Sequence, residues 1–209
     1  MDHLQQLIER HPHLDSVRSD INKAYEIITG AFENGGKLLI AGNGGSAADA
    51  EHIVGELMKS FVKKRELPDN FLDKINKIDF EIAEYLIKRL QPGLPAINLS
   101  NHASLNTACI NDIDGDITFA QQVYGYGKSG DVFLGISTSG NAKNVLYAAA
   151  AAKAKDLKVI ALTGRDGGRI KKIADTTIIV PEKETYKIQE LHLPVYHCLC
   201  LMIEEHFFP

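Results

Sequence analysis

The chain has 209 residues, the length of one compact domain. Its 44% hydrophobic and 24% charged residues exclude a disordered chain. Its formal net charge of −4 leaves no basic surplus for tracking a nucleic acid, although a small anion needs only a local site.

Residues Met1 to Arg18 carry charges and no apolar core of a signal peptide. No apolar run approaches the ~18 residues of a membrane span; Val145 to Ala152 is short and alanine-rich. A cytoplasmic protein is expected, with no membrane partner. Cys109, Cys198 and Cys200 form no CxxC pair, so buried free thiols in a reducing compartment are expected.

A helix is expected from Leu14 to Asn34, with Ile21, Ala24, Tyr25, Ile28 and Phe32 at helical spacing and Asn34-Gly35-Gly36 to stop it. Lys37 to Ala41 reads as a buried parallel strand. Gly42-Asn43-Gly44-Gly45-Ser46 then turns the chain into a helix from Ala47 to about Phe61. Residues Lys63 to Gly93 break the rhythm. They are rich in charge and place Phe71, Ile75, Ile78, Ile82, Tyr85 and Leu86 at steps of three or four. This is an inserted helical segment, too short for its own core, expected to be an amphipathic cover or a subunit contact.

A second strand, Pro95 to Leu99, precedes a helix from Ser104. A third, Asp131 to Ile136, leads through Ser137-Thr138-Ser139-Gly140-Asn141 into a helix from Ala142 to Ala154. Lys158 to Thr163 and Thr176 to Val180 are the fourth and fifth strands, and a last amphipathic helix runs from about Tyr186 to His206. Strands alternating with helices predict an α/β three-layer sandwich, a five-stranded parallel sheet flanked by helices. Right-handed crossovers place every strand-to-helix turn on one edge of the sheet.

Four groups of residues on that scaffold carry chemistry. Ser137, Thr138 and Ser139, beside a glycine at a helix N-terminus, offer hydroxyls and free backbone N–H groups to an anion such as phosphate; a simple N-cap needs only one of them. The turn Gly42 to Ser46 permits close backbone approach, as a tight turn alone also would. His52 and Glu56, four residues apart, share one helix face and suit a divalent metal, acid/base work or a plain surface hydrogen bond. On the last helix, Gln189 and His197 lie on one stripe. His197 is flanked by Leu193, Val195, Leu199 and Leu201, the setting of a core histidine. His192 falls off that stripe and is expected to be structural or exposed.

Taken with Asn111-Asp112, Leu162-Thr163-Gly164, Asp166-Gly167-Gly168 and Ile188-Gln189-Glu190, these motifs resemble the bacterial phosphoheptose isomerases of the SIS (sugar isomerase) superfamily. The resemblance covers nearly all of the chain apart from the insert. It implies a single SIS domain over residues 1–209. The implied reaction converts D-sedoheptulose 7-phosphate to D-glycero-D-manno-heptose 7-phosphate through an enediol. The implied assembly is a homotetramer with active sites between subunits. By the same resemblance His52, Glu56, Gln189 and His197 hold one zinc ion, and Glu56 and His197 are the catalytic acid/base pair. Ser137, Thr138 and Ser139 hold the phosphate. Asn43, Gly44, Gly45, Ser46, Asn111 and Asp112 contact the sugar, together with His52, Glu56 and Gln189. Three departures stand out: Ala142 where the family has a further phosphate-contacting Ser, Tyr186 where an Asp is common, and the long insert. A non-catalytic SIS relative that binds the replication initiator, and an isomerase of another ketose phosphate, are the competing expectations.

Overall fold

Short, largely apolar runs pair into one sheet in the computed structural model, which describes residues 2–209. The strands are β1 (Leu38–Ala41), β2 (Ala96–Asn98), β3 (Val132–Ser137), β4 (Lys158–Thr163) and β5 (Thr176–Ile179). They are parallel throughout, in the order β2-β1-β3-β4-β5. Side chains alternate across a strand, so Leu38 and Ile40 enter one core while Leu39 and Ala41 enter the other.

The first core packs under α1 (His3–Arg10), α2 (Arg18–Glu33), α3 (Gly45–Met58) and the long α9 (Thr185–Phe207). The second packs under α7 (Thr118–Tyr126) and α8 (Lys143–Ala154). There Ala148, Ala149 and Ala152 face the sheet, and their small side chains suit a helix lying directly on it. Between β2 and α7 runs α6 (Ala103–Asp112). The expected first helix begins later than its periodicity suggested, because Pro12–Val17 forms a 3₁₀ turn and the α-helix starts at Arg18.

The insert is two short helices, α4 (Asp69–Ile75) and α5 (Phe80–Ile87). Asp79 divides them: its side chain accepts from the Ile82 N–H at 2.9 Å and caps the second helix. The predicted stripe therefore does not run through. Ile78 is 74% exposed and Tyr85 59%, and only Ala83 is buried in α5. Of the two roles expected for this segment, it does not cover a core within its own chain.

His192 is fully buried on α9, against its expected place off the apolar stripe. The buried face runs Ile188, His192, Val195, Tyr196, Leu199, Ile203. Neither of its ring nitrogens has a hydrogen-bonding partner among the described residues. Burial pulls its pKa from 6.5 down to about 4, with the nearby Thr163 backbone drawing it slightly back up. The unfolded chain thus binds a proton between pH 6.5 and about 4 that the folded chain refuses. Stability is lost as pH falls through that window, by about 3 kcal/mol from this residue. Urea unfolding of His192→Leu is expected to show a visibly shallower decline between pH 7 and 4 than the parent.

The three cysteines are free and buried, as expected. Burial pushes the Cys198 thiol up to about 12, which leaves it unreactive at neutral pH.

Candidate active site

The strand order reverses between β1 and β3, and in open parallel sheets ligands bind outside the strand ends at that switch. The loops there are Gly42–Ser46 and Ser137–Asn141. Gly44 holds φ +56°, a left-handed conformation that favours glycine. At Gly45 a Cβ would lie 2.6 Å from Gln189 Nε2, so the missing side chain is what lets α9 reach the turn. Asn43 and Asn144 exchange two amide hydrogen bonds, each 2.9 Å, across the crevice. Ser46 is buried beneath the turn.

The hydroxyl loop follows β3. Ser137 is the strand's last residue and is buried; Ser139 Oγ accepts from the Asn141 N–H at 3.2 Å. Among the described residues, no protein group engages the side-chain hydroxyls of Ser137 and Thr138. Ala142 at the N-cap of α8 offers no side-chain cap, and in the first turn the Val145 N–H is taken by Asn144 Oδ1 at 3.0 Å. The unclaimed hydroxyls and the remaining N–H groups at the start of α8 thus open at one place, the makings of an anion cradle. The loop is held from behind. Gly140 has φ +65°, and a Cβ there would collide with the Gly167 carbonyl; one on Gly168 would collide with the Ser139 carbonyl.

On α3 and α9 three heteroatoms gather at one point. His52 Nε2 lies 3.1 Å from Glu56 Oε1 and 3.4 Å from His197 Nε2. Glu56 is mostly buried, and its other oxygen takes Lys59 Nζ at 3.0 Å. The Phe61 ring packs on His197, with centroids 5.5 Å apart. Burial first, then the charges of His52 and Arg10, lower the His197 pKa against the opposing pull of Glu56. The imidazole is therefore neutral at pH 7, with one nitrogen to donate and one to accept.

Zinc bonds of ~2.0–2.1 Å give a tetrahedron with edges of about 3.3 Å. The two contacts at His52 Nε2 match such edges, and imidazole, carboxylate and imidazole are a zinc donor set. As placed, the donors touch in pairs through His52, and no three His, Cys, Asp or Glu among the described residues close into a finished cage. Donor type and spacing fit the ion. Gln189, against Gly45, brings an amide along the same helix.

Two predicted residues stand elsewhere. Asn111 and Asp112 end α6, exposed, with Asn111 Nδ2 donating to Asp112 Oδ1 at 2.8 Å. Their neighbour Ile110 lines a cavity with Gly42, Asn43, Gly44, Asn106 and Asn144. Tyr186 is exposed in the first turn of α9. Sequence reasoning missed Asn144, Asp49 and Tyr196. Asp49 carried a signal, being three residues before His52 on the same face. Nothing in the local pattern of the other two marks their partners.

Such loops at the switch point of a 2-1-3-4-5 sheet, with a His–Glu–His group behind them, define an α/β domain with a crevice suited to a small anionic ligand. The model of the SIS domain matches residues 2–73 and 76–164. The chain is 39% identical to a phosphoheptose isomerase of Nitratiruptor sp., over 99% of this chain and 100% of that one. A phosphoheptose isomerase structure from Neisseria gonorrhoeae superposes with TM-score 0.75 at 34% identity, over 97% of this chain and 95% of the other. One from Francisella tularensis gives 0.73 at 33%, over 90% and 86%. The chain belongs to the SIS domain family, and within it to the phosphoheptose isomerases.

Proposed function

We propose that the chain interconverts D-sedoheptulose 7-phosphate and D-glycero-D-manno-heptose 7-phosphate through an enediol. Family membership makes it a sugar-phosphate isomerase; the substrate and the path are our reading. The observation that carries it is the meeting of Glu56 and His197 around His52 Nε2, on helices that Gln189 joins to the β1 turn.

The phosphate sits on the hydroxyls of Ser137 and Thr138, with Ser139 and the first turn of α8. Glu56 Oε1 removes the proton from the carbon beside the carbonyl and returns it to the neighbouring carbon. Lys59 holds the other oxygen, so one oxygen is presented for this work. Neutral His197 gives a proton to one substrate oxygen and takes one from the next. Asn43, with the backbone of Gly44 and Gly45, faces the sugar chain. His52, Glu56, His197 and Gln189 would hold a zinc ion, which when bound polarises the carbonyl and stabilises negative charge on its oxygen.

The assembly we propose is a homotetramer with sites between subunits. Its support is the apolar surface left open on and around α6 and α7, where Ile110, Ile113 and Tyr124 are each 60–68% exposed. Among the described residues no helix is long and apolar enough to cross a membrane. We read the compartment as the cytoplasm.

Incubation of metal-stripped and zinc-loaded protein with sedoheptulose 7-phosphate tests the reading. Aldoheptose 7-phosphate formed only with zinc is the expected result. Turnover of another ketose phosphate alone would replace the substrate. No turnover at all by folded protein would turn the reading to the non-catalytic one. Ser137→Ala is expected to raise KM by about ten- to a hundredfold, since a hydrogen bond to a charged group is worth ~1.5–3 kcal/mol. Its kcat should change little, and steady-state kinetics separates the two.

A further inference from the structure

Gly42, Asn43, Gly44, Asn106 and Asn144 line one cavity of about 290 Å³ beside the β1 turn. Asn106 stands in the first turn of α6 and is half-buried. Its carboxamide is tied at both ends. Asn106 Nδ2 donates to the Ser100 carbonyl at 3.0 Å, and Asn106 Oδ1 accepts from Gln122 Nε2 at 2.8 Å. Gln122, on α7, is 2% exposed and gives the same nitrogen to the carbonyls of Leu99 at 2.9 Å and Thr118 at 3.3 Å. Its own oxygen is buried with no partner among the described residues.

These partners leave each amide one orientation. The Leu99 and Thr118 carbonyls only accept, so Gln122 must turn its nitrogen to them. Its two hydrogens go to the nearest acceptors, the Leu99 carbonyl and Asn106 Oδ1. Turning Asn106 over would set its nitrogen against that of Gln122 and its oxygen against the Ser100 carbonyl. An amide side chain has two hydrogens and two oxygen lone pairs. Asn106 spends one of each inside the protein. Among the described residues nothing takes the other hydrogen or the other lone pair. A hydroxyl, which both donates and accepts, matches what is left over. The orphaned Gln122 oxygen costs stability, and it is the consequence of facing Asn106 with nitrogen.

We propose that Asn106 is a sugar-binding residue that hydrogen-bonds a hydroxyl on the ligand's carbon chain, and that Gln122 is the positioning residue that holds its amide for that contact. This rests on the phosphosugar reading of the crevice given above. A site that presents an oriented amide to a hydroxyl discriminates against a ligand without one, because the amide is then left unpaired.

The probe is D-glucitol 6-phosphate, a polyol phosphate with no carbonyl to turn over, titrated by calorimetry beside inorganic phosphate. The parent is expected to bind the polyol phosphate more tightly than phosphate. Asn106→Ala is expected to bind it about two- to twelvefold more weakly, the range for one neutral hydrogen bond, with phosphate binding unchanged. Gln122 keeps the Leu99 and Thr118 carbonyls in this variant, so its nitrogen is not orphaned. Gln122→Met, or Gln122→Glu should the first not fold, is expected to show the same selective loss. The double variant is expected to lose no more than Asn106→Ala alone. A parent with no preference for the polyol phosphate overturns the proposal. So does parental binding by Asn106→Ala, or an equal loss for phosphate. Parental binding by the folded Gln122 variant overturns the orienting role. Turnover of sedoheptulose 7-phosphate by the parent, with polyol phosphate binding unmoved in Asn106→Ala, overturns this proposal and leaves the isomerase reading standing. A selective loss in the variant, with no turnover by the parent, does the reverse.

Discussion

Glu56→Gln is expected to lower kcat by about two to four orders of magnitude, the range for removing a positioned general base. Gln has the shape of Glu but cannot accept a proton from carbon. The side chain is mostly buried, within 3.1 Å of His52 and 3.0 Å of Lys59. A Gln amide can keep a hydrogen bond to His52 Nε2, so thermal unfolding is expected within a few degrees of the parent. Lys59 loses its charged partner, but it is exposed, and exposed pairs contribute only ~0–1 kcal/mol. The assays are a progress curve for aldoheptose phosphate and a melting curve on the same sample. Near-parental kcat with the fold intact would remove Glu56 from the chemistry.

The largest effect on stability is expected at Glu204. Its carboxylate is 1% exposed and faces Arg65, 0% exposed, at 2.9 Å. Three successive N–H groups, from Phe61, Val62 and Lys63, also donate to it. Arg65 in turn donates to the carbonyls of Glu56, Leu57 and Pro92 and lies over the Phe208 ring. Burial alone would raise the Glu204 pKa; the N–H donors and Arg65 outweigh it and hold the carboxyl below the usual range. Glu204→Leu leaves the guanidinium buried and unpaired, at a cost of about 3–5 kcal/mol. For a chain of this size that lowers the melting temperature by about 10 °C. Replacing both residues, as Arg65→Met with Glu204→Leu, is expected to recover most of the loss. A double variant no better than the single would mean that the three N–H groups, and not the charge pair, need the carboxylate. Calorimetry on the two variants decides it.

Local pattern was enough for the sheet. β1, β3 and β4 are apolar runs closed by glycine or hydroxyls, β5 is closed by Pro181, and both crevice loops were visible as breaks between a strand and a helix. The four-residue step from His52 to Glu56 likewise put both on one face of α3. The two histidines of α9 show where pattern fails. Leu193 and Leu201 suggested an apolar face around His197, but Leu193 is exposed. The face that packs inward is set by α1, α2 and α3, and it takes His192 and Tyr196 instead. The insert failed for a different reason: its apolar spacing is helical, but Asp79 caps a new helix in the middle of it. Pairings distant in sequence, Asn43 with Asn144 and Arg65 with Glu204, leave no local trace at all. They exist because the crossovers bring β1 beside β3 and α3 beside α9.

The two glycine loops behind the hydroxyl cradle set limits on how this chain can change. Gly140 rests against the Gly167 carbonyl and Gly168 against that of Ser139, with no room for a Cβ at either contact. Neither loop can accept a larger residue unless the other moves, so single substitutions cannot reshape this wall. A mutational path toward longer or shorter sugars must run along the opposite wall, through Asn43, Asn106, Ile110 and Asn144. There Ile110, exposed and without a hydrogen bond to keep, can be exchanged alone, whereas Asn43 and Asn144 hold each other and change together.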